Sequence, residues 1–400
     1  DAGDVDGDGL SDLLFGSYEY DHLGTNPGRV WLVLASTVAS GSELNADSAD
    51  YVLDGQSSDD RIGWDVAGGG DVDGDGLTDI LIGGPGTDMG GNDSGGVYVT
   101  LGADLQSGFI GSDTDLDGVL PGDNAGSSVA GVGDVNSDGY DDILVGAPAE
   151  DSAGIDAGAA YLIFDHDLVG PLSDASKIFM GENSTEKVGR AVDGGGDFDG
   201  DGIPDIVLGS ATKGYIFLGD QIVASSSFTI SDAETTFSGE SNISLDLGAD
   251  INGDGYDDVL FGAQSNDDAA TDAGAVFAVF GTSSGSLGSI TSADADVRIY
   301  GSSTEAAGIA VDAVDLHGSG YASVVFGASG SDSVYLFLAE DTSIAAGDYT
   351  TLDADVTISV GNHDVQFVGD VGGDGLPDLL IGDPGSTSYD GGAAYLFLSD

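Results

Sequence analysis

Short, continuously apolar runs that end in glycine recur along the chain: "LLFG", "ILIGGP", "ILVGAP", "IVLGSA", "VLFGAQ", "VVFGAS" and "LLIGDP". After a polar stretch of variable length, each is followed by an aromatic-rich run: "VWLVL", "VYVTL", "AYLIF", "YIFLG", "VFAVF", "VYLFL" and "AYLFL". Next comes a run closed by glycine, as in "YVLDG", "KIFMG", "VRIYG" and "VTISVG", and then a run such as "WDVAGGGD" or "RAVDGGGD". Runs of this length, rich in Val, Ile, Leu, Phe and Tyr and bounded by Gly and Asp, predict β-strands. Four strands per repeat is the count of a propeller blade, so the pattern predicts an all-β, seven-bladed propeller of four-stranded antiparallel blades. The middle strands do not alternate, as expected of sheets covered on both faces by neighbouring blades. No apolar pattern at 3.6-residue spacing is long enough to build a helical solenoid.

Each repeat opens on an acidic segment. "DVDGDGLSD" at 4–12 returns as "DVDGDGLTD" at 71, "DVNSDGYDD" at 134, "DFDGDGIPD" at 197 and "DINGDGYDD" at 250, with weaker copies "DLHGSGYAS" at 315 and "DVGGDGLPD" at 370. Self-similarity at a period of 53 to 67 residues marks a repeat architecture, here one propeller domain over 1–400. Asp at positions one, three, five and nine of a loop with glycine at position six turns carboxylate oxygens toward one point. Hard divalent cations require that arrangement, and Ca²⁺ adds a backbone carbonyl from position seven, which is Leu10 in the first loop and Leu77 in the second. A bound ion converts repulsion among the aspartates into attraction. The loop is not an EF-hand, because position twelve, where a bidentate Glu belongs, is Phe15, Ile82, Val145, Leu208 or Phe261 in the following strand.

Composition sharpens this picture. The chain holds 72 acidic against 7 basic residues, a formal charge of −65, yet its 40% hydrophobic content supports a large core. Such a field disfavours nucleic acid and anionic membrane and favours cations; adaptation to high salt is a second reading of the same charge. There is no cysteine, which excludes disulfides and thiolate metal sites. No apolar stretch is long enough to be a transmembrane segment.

The words "GDVDGDGLTDILIGGP" and "GDVNSDGYDDILVGAP", with "GGVYVTL" or "GAAYLIF" downstream, resemble the FG-GAP repeat of the integrin alpha-subunit head, a seven-bladed propeller with calcium loops between the first two strands of certain blades. The resemblance covers essentially the whole chain. It implies full ligand sets at Asp4, Asp6, Asp8 and Asp12; Asp71, Asp73, Asp75 and Asp79; Asp134, Asn136, Asp138 and Asp142; Asp197, Asp199, Asp201 and Asp205; and Asp250, Asn252, Asp254 and Asp258. Tyr140, Ile203 and Tyr256 stand at the position-seven carbonyl of the third to fifth loops. Asn136 and Asn252 offer a neutral oxygen. The sixth loop, with His317, Ser319 and Ser323, is expected to bind no ion, and the seventh keeps Asp370, Asp374 and Asp378 but has Gly372, which predicts a weak site. About five full Ca²⁺ sites are expected, pinning turns between strands, with affinities on the order of 10⁻⁴ to 10⁻³ M that suit an extracellular or cell-surface setting.

Other chemistry is thin. His22, His166, His317 and His363 are scattered, the glycine clusters lack a P-loop lysine, and no catalytic constellation stands out, so an enzyme is not expected. Asn92, Asn183 and Asn242 fit the glycosylation sequon, and there is no RGD tripeptide. The loops between second and third strands, such as "EDSAGIDAGA" and "NDDAATDAGA", should gather at one rim, where a protein or glycan ligand would bind. Three residues precede the first acidic loop and the chain stops just after "AYLFL", so the first and last blades are expected to be incomplete, open to strands from a longer parent or a neighbouring copy. The function expected is a calcium-stabilised binding or adhesion module. The alternatives are a structural subunit of a surface layer or filament assembled by strand donation and, further off, an extracellular polysaccharide-active enzyme.

Overall fold

The computed structural model describes residues 1–21, 24–39, 45, 48–88, 91–109, 115–118, 120–164, 170–225, 228–340, 342–361, 364–384 and 392–399. The chain divides into two compact units, Asp1–Gly195 with Gly219–Asp232, and Gly196–Leu218 with Ala233–Asp400. Both are built from blade-like sheets, seven in all among the described residues, so the fold is an all-β propeller of mostly antiparallel blades.

In the first unit, the strands Leu13–Ser17, Arg29–Val33 and Tyr51–Asp54 pair in sequence order. The next sheet runs Val66–Gly70, Asp79–Gly83, Gly96–Thr100 and Asp115–Asp117, and the third Ser128–Gly133, Asp142–Ala147, Ala159–Ile163 and Lys177–Met180. In the second unit, Ile206–Gly209, Lys213–Phe217 and Thr235–Ser238 form one meander. Ile243–Ala249, Asp258–Ala263, Ala275–Val279 and Val297–Tyr300 form the next. Ala307–Val314, Ser323–Ala328, Ser333–Phe337 and Val356–Ser359 follow, and the last sheet holds Asp364–Val368, Asp378–Asp383 and Ala393–Phe397.

The expectation of four-stranded blades is corrected in one respect: among the described residues four sheets have five strands. The extra strand is short and parallel, and it comes from the segment after the next sheet's third strand. Gly170–Pro171 pairs with Leu116 and Asp117 and Gly347–Thr350 with Val297–Tyr300, and in the first sheet Gly108–Phe109 pairs the same way with Leu53 and Asp54 as a fourth strand. An outer strand left bare would expose unpaired N–H and C=O groups, and this segment covers them.

The continuously apolar words are the buried middle strands. Every residue of Asp79–Gly83, Asp142–Ala147 and Asp258–Ala263 is buried. In the second unit, Phe237 stacks on Phe261 with ring centroids 4.3 Å apart, and Phe277 packs against Phe237 at 5.7 Å. The strand-ending glycines have a steric cause. A Cβ on Gly83 would lie 2.1 Å from the carbonyl oxygen of Gly126, and one on Gly16 would lie 2.3 Å from that of Gly63, so neighbouring sheets meet backbone to backbone. In the "GGGD" word at 68–71, a Cβ on Gly70, whose φ is +76°, would lie 2.2 Å from Asp141 Oδ2, and on the facing strand a Cβ on Gly131 would sit 2.6 Å from the Gly68 oxygen. Among the described residues no helix is long and apolar enough to cross a membrane.

Candidate metal centres

The second, third, fifth, sixth and seventh acidic loops join the first and second strands of their sheets, the first runs straight into Leu13–Ser17, and glycine sets their turn. In the first loop Gly7 and Gly9 have φ of +76° and +89°, a region that side chains disfavour, and the open space around Gly9 shows that conformation alone calls for glycine there. The Asp4 carboxylate then accepts N–H bonds from Gly7, Asp8 and Gly9 at 2.8, 3.0 and 2.9 Å. The same three donors converge on Asp250 and Asp370, and the last two of them on Asp134 and Asp197. Position-five carboxylates accept from position seven, as Leu10 donates to Asp8 and Leu77 to Asp75, both at 2.9 Å.

These turns bring carboxylates together. Ligand oxygens of Asp4, Asp6 and Asp8 lie within 4.8 Å of one another, as do those of Asp71, Asp73 and Asp79, and of Asp197, Asp199 and Asp205. Each group holds three of the four aspartates of its loop. Asp71 Oδ1 is buried and has no hydrogen-bond partner. An orphaned anionic oxygen facing two more carboxylates fits a hard cation, and an all-oxygen donor set selects Ca²⁺ or Mg²⁺ over softer metals. In the third and fifth loops the amides of Asn136 and Asn252 donate to Asp138 and Asp254 at 2.8 and 3.1 Å, which relieves repulsion locally.

Position nine plays a part that its spacing did not suggest. Asp12 is fully buried and clamps two backbone segments, its Oδ2 accepting from Val5 at 3.1 Å and its Oδ1 from Ala35 at 2.8 Å. Asp79 does the same with Val72 and Gly102, and Asp258 with Ile251 and Gly281. Position eight is the site residue that sequence reasoning missed. Asp141 accepts the N–H of Asp71 at 2.8 Å and returns its own N–H to the Asp71 carbonyl at 3.1 Å, and Asp257 does the same for Asp197. Consecutive loops are thus tied together, with the Tyr140 and Tyr256 rings lying against Gly74 and Gly200. The signal was present in the "YDD" words, whose first Asp has no place in a single-loop ligand set.

The sixth loop keeps the turn by other means. Burial raises the Asp315 carboxyl, but N–H donors from Gly320, Ser319 and His317 outweigh it and hold the group below the ordinary range. Ser319 Oγ bonds the Ala339 carbonyl, and Ser323 accepts the Ala339 N–H, each at 3.0 Å. His22, His166 and His363 lie outside the described residues.

Burial, with help from carboxylates of the same loop, raises the position-nine carboxyls to about 6 for Asp12 and Asp79, about 7 for Asp142 and about 8 for Asp258, against an ordinary value of 3.8. The cation-free fold therefore retains protons that the unfolded chain has already lost. The stability these protons provide is full below pH ~4 and is lost as pH rises through the folded values. In EDTA, the melting temperature should fall steadily between pH 5 and 8, and calcium at pH 8 should restore it. A flat or rising profile in EDTA would contradict this geometry.

Comparison with known proteins agrees with the loop geometry. The FG-GAP repeat model matches residues 1–33, 62–100 and 125–163, and the FG-GAP-like repeat model matches 197–261. The chain carries FG-GAP repeats. This FG-GAP protein is 33% identical over 258 residues to integrin alpha-PS2 of Drosophila melanogaster, an alignment covering 61% of the chain and 17% of the relative. It is 31% identical to integrin alpha-5 of Xenopus laevis (49% and 19% covered) and 34% identical to bovine phosphatidylinositol-glycan-specific phospholipase D (32% and 17% covered). The chain thus spans under a fifth of the length of these relatives. A solved structure of BBS1N in complex with ARL6DN is similar with a TM-score of 0.53 at 10% identity, over 99% of this FG-GAP chain and 90% of that one, a likeness of fold alone.

Proposed function

We propose that this chain is a calcium-stabilised, extracellular binding module of the adhesion type, which works by recognition rather than by catalysis. The observation that carries the reading is the second loop, where Asp71, Asp73 and Asp79 converge around an orphaned buried oxygen in a chain whose relatives include integrin alpha subunits. In this reading Asp4, Asp6, Asp8, Asp71, Asp73, Asp79, Asp197, Asp199 and Asp205 hold ions, Asp134, Asn136, Asp138, Asp250, Asn252 and Asp254 hold further ones, and the ions lock strand-to-strand turns. Affinities of ~10⁻⁴ to 10⁻³ M suit calcium levels outside the cell.

Recognition is assigned to the opposite ends of the strands. In the second unit a cleft of about 600 Å³ lies there, lined by Lys213, Ser238, Glu240, Ser265, Asn266 and Asp268 among others. Its hydroxyls, amide and carboxylates suit a polar protein or glycan surface. The test is solid-phase binding of the purified chain to arrays of matrix proteins and glycans, in calcium and in EDTA. Calcium-dependent capture of a defined ligand, weakened at least tenfold by Glu240→Gln with the melting temperature unchanged, is expected. No capture in calcium, or capture indifferent to EDTA, would overturn the reading.

A further inference from the structure

The first unit carries an aromatic patch that the acidic loops do not account for. Tyr18 follows the strand Leu13–Ser17 and Trp64 precedes Val66–Gly70, so both stand at the strand ends opposite the acidic loops. Their ring centroids are 4.5 Å apart with the planes at 47°, and Tyr18 and Trp64 remain 38% and 42% exposed. Backbone contacts fix them there. A Cβ on Gly16 would lie 2.3 Å from the Gly63 oxygen, the Gly63 N–H bonds the Gly83 carbonyl at 3.0 Å, and the Trp64 N–H bonds that of Arg61 at 3.2 Å. Scattered apolar residues on a surface are ordinary, but two large rings packed together and left open to water mark a binding surface.

The fold does not require these rings. The approach of Gly16 to Gly63 recurs at Gly83 and Gly126 and at Gly146 and Gly189, so Pro85 and Pro148 are the counterparts of Tyr18, and Ser127 and Arg190 those of Trp64. The neighbouring cation differs as well. The Arg61 N–H bonds the Asn26 carbonyl at 3.1 Å, as the Lys187 N–H bonds that of Asp156 at 3.0 Å. The Lys187 ammonium reaches the Asp156 carboxylate at 4.0 Å, whereas Arg61 meets an amide residue at that place and forms no ion pair among the described residues. Its guanidinium lies instead over Trp64, 5.8 Å from the ring centroid. In a chain with 72 acidic and 7 basic residues, an exposed arginine without an acid has donors to offer a ligand.

Rigid aromatic faces beside free N–H donors match a sugar. The negative face of an aromatic ring attracts the axial C–H groups of a pyranose, and guanidinium N–H groups donate to its hydroxyls. The formal charge of −65 repels uronate and sulfated chains and leaves neutral sugars. We propose that Tyr18, Trp64 and Arg61 form a binding site for a neutral hexopyranose unit of a glycan. The site shares no residue with the cleft around Glu240 and does not rest on the role assigned to that cleft.

The test is a titration of the whole chain, in calcium, with neutral oligosaccharides of glucose, galactose, mannose and N-acetylglucosamine. The chain has two tryptophans, Trp31 and the more exposed Trp64, so tryptophan emission reports on the site directly. One of these sugars should shift the emission to the blue and protect it from acrylamide quenching. By calorimetry, Trp64→Ala should weaken binding of that sugar about tenfold or more and Arg61→Ala about threefold, with melting temperatures unchanged. Trp64→Phe, which keeps a ring, should lose less than Trp64→Ala. Glu240→Gln should bind the sugar as the parent does, so failure of this site and failure of the Glu240 cleft are told apart. No binding of any of the neutral sugars would overturn the proposal. So would binding of oligogalacturonate alone, which would make Arg61 a carboxylate receptor, or protection of Trp64 only through a Trp64-dependent dimer in sedimentation, which would make the rings a contact between copies.

Discussion

Stripping calcium with EDTA at pH 7.5 should lower the melting temperature of this FG-GAP protein by on the order of 10–20 °C relative to the same protein in 10 mM calcium. A ligand that binds only the folded state stabilises it by RT ln(1 + [L]/Kd), about 1.4 to 2.7 kcal/mol per ion for dissociation constants of ~10⁻³ to 10⁻⁴ M at 10 mM calcium. Five loops with full ligand sets would therefore contribute about 7 to 14 kcal/mol, comparable with the whole stability of an ordinary domain. Electrostatics works in the same direction. With a formal charge of −65 and 7 basic residues, the chain has few internal counter-charges, so each lost ion leaves three clustered carboxylates facing one another. Differential scanning calorimetry in EDTA and after calcium is added back checks the result. A shift below about 2 °C would mean that the clusters stand as ordinary solvated surface, and magnesium at equal concentration should restore less than calcium does.

Gly146→Ala should cost about 3 kcal/mol or more, and its cause lies in backbone rather than side chains. A Cβ at Gly146 would sit 2.0 Å from the Gly189 carbonyl oxygen and 2.9 Å from its carbon. Neither side can retreat. Gly146 is paired with Ala160 and Ser128 in the middle of its sheet, and its carbonyl accepts the N–H of Gly126 at 3.0 Å. Gly139→Ala is the contrast. Gly139 has φ of +98° and no atom lies within 4 Å of where an added methyl would stand, so its cost is conformational and about 1–2 kcal/mol. Urea midpoints of the two variants in calcium should differ accordingly, and equal costs would refute the close approach of the two sheets.

Much of the architecture was legible because the repeat displays it seven times. The "ILIG" and "ILVG" words are buried on both faces, and the acidic words turn where their glycines place them. The convergence of Asp71 with Asp73 was readable from spacing, since a tight turn holds neighbours in sequence near one another in space. The short parallel strands were not readable: Gly108–Phe109 is two residues without periodicity, and only the bare outer strand Tyr51–Asp54 gives it a partner. The clamp made by Asp12 was equally hidden, because Ala35 lies 23 residues away.

What the sequence by itself determined is local: which runs become strands, where the chain reverses, and where carboxylates crowd within one turn. These follow from steric and polar preferences acting over a few residues. What only the tertiary structure decided is pairing at long range. Asp141 reaches back to Asp71 across 70 residues, and Gly146 meets Gly189. Such meetings depend on how one sheet packs on the next, and a side chain's cost or use is set by the group it is buried against, which no local pattern records.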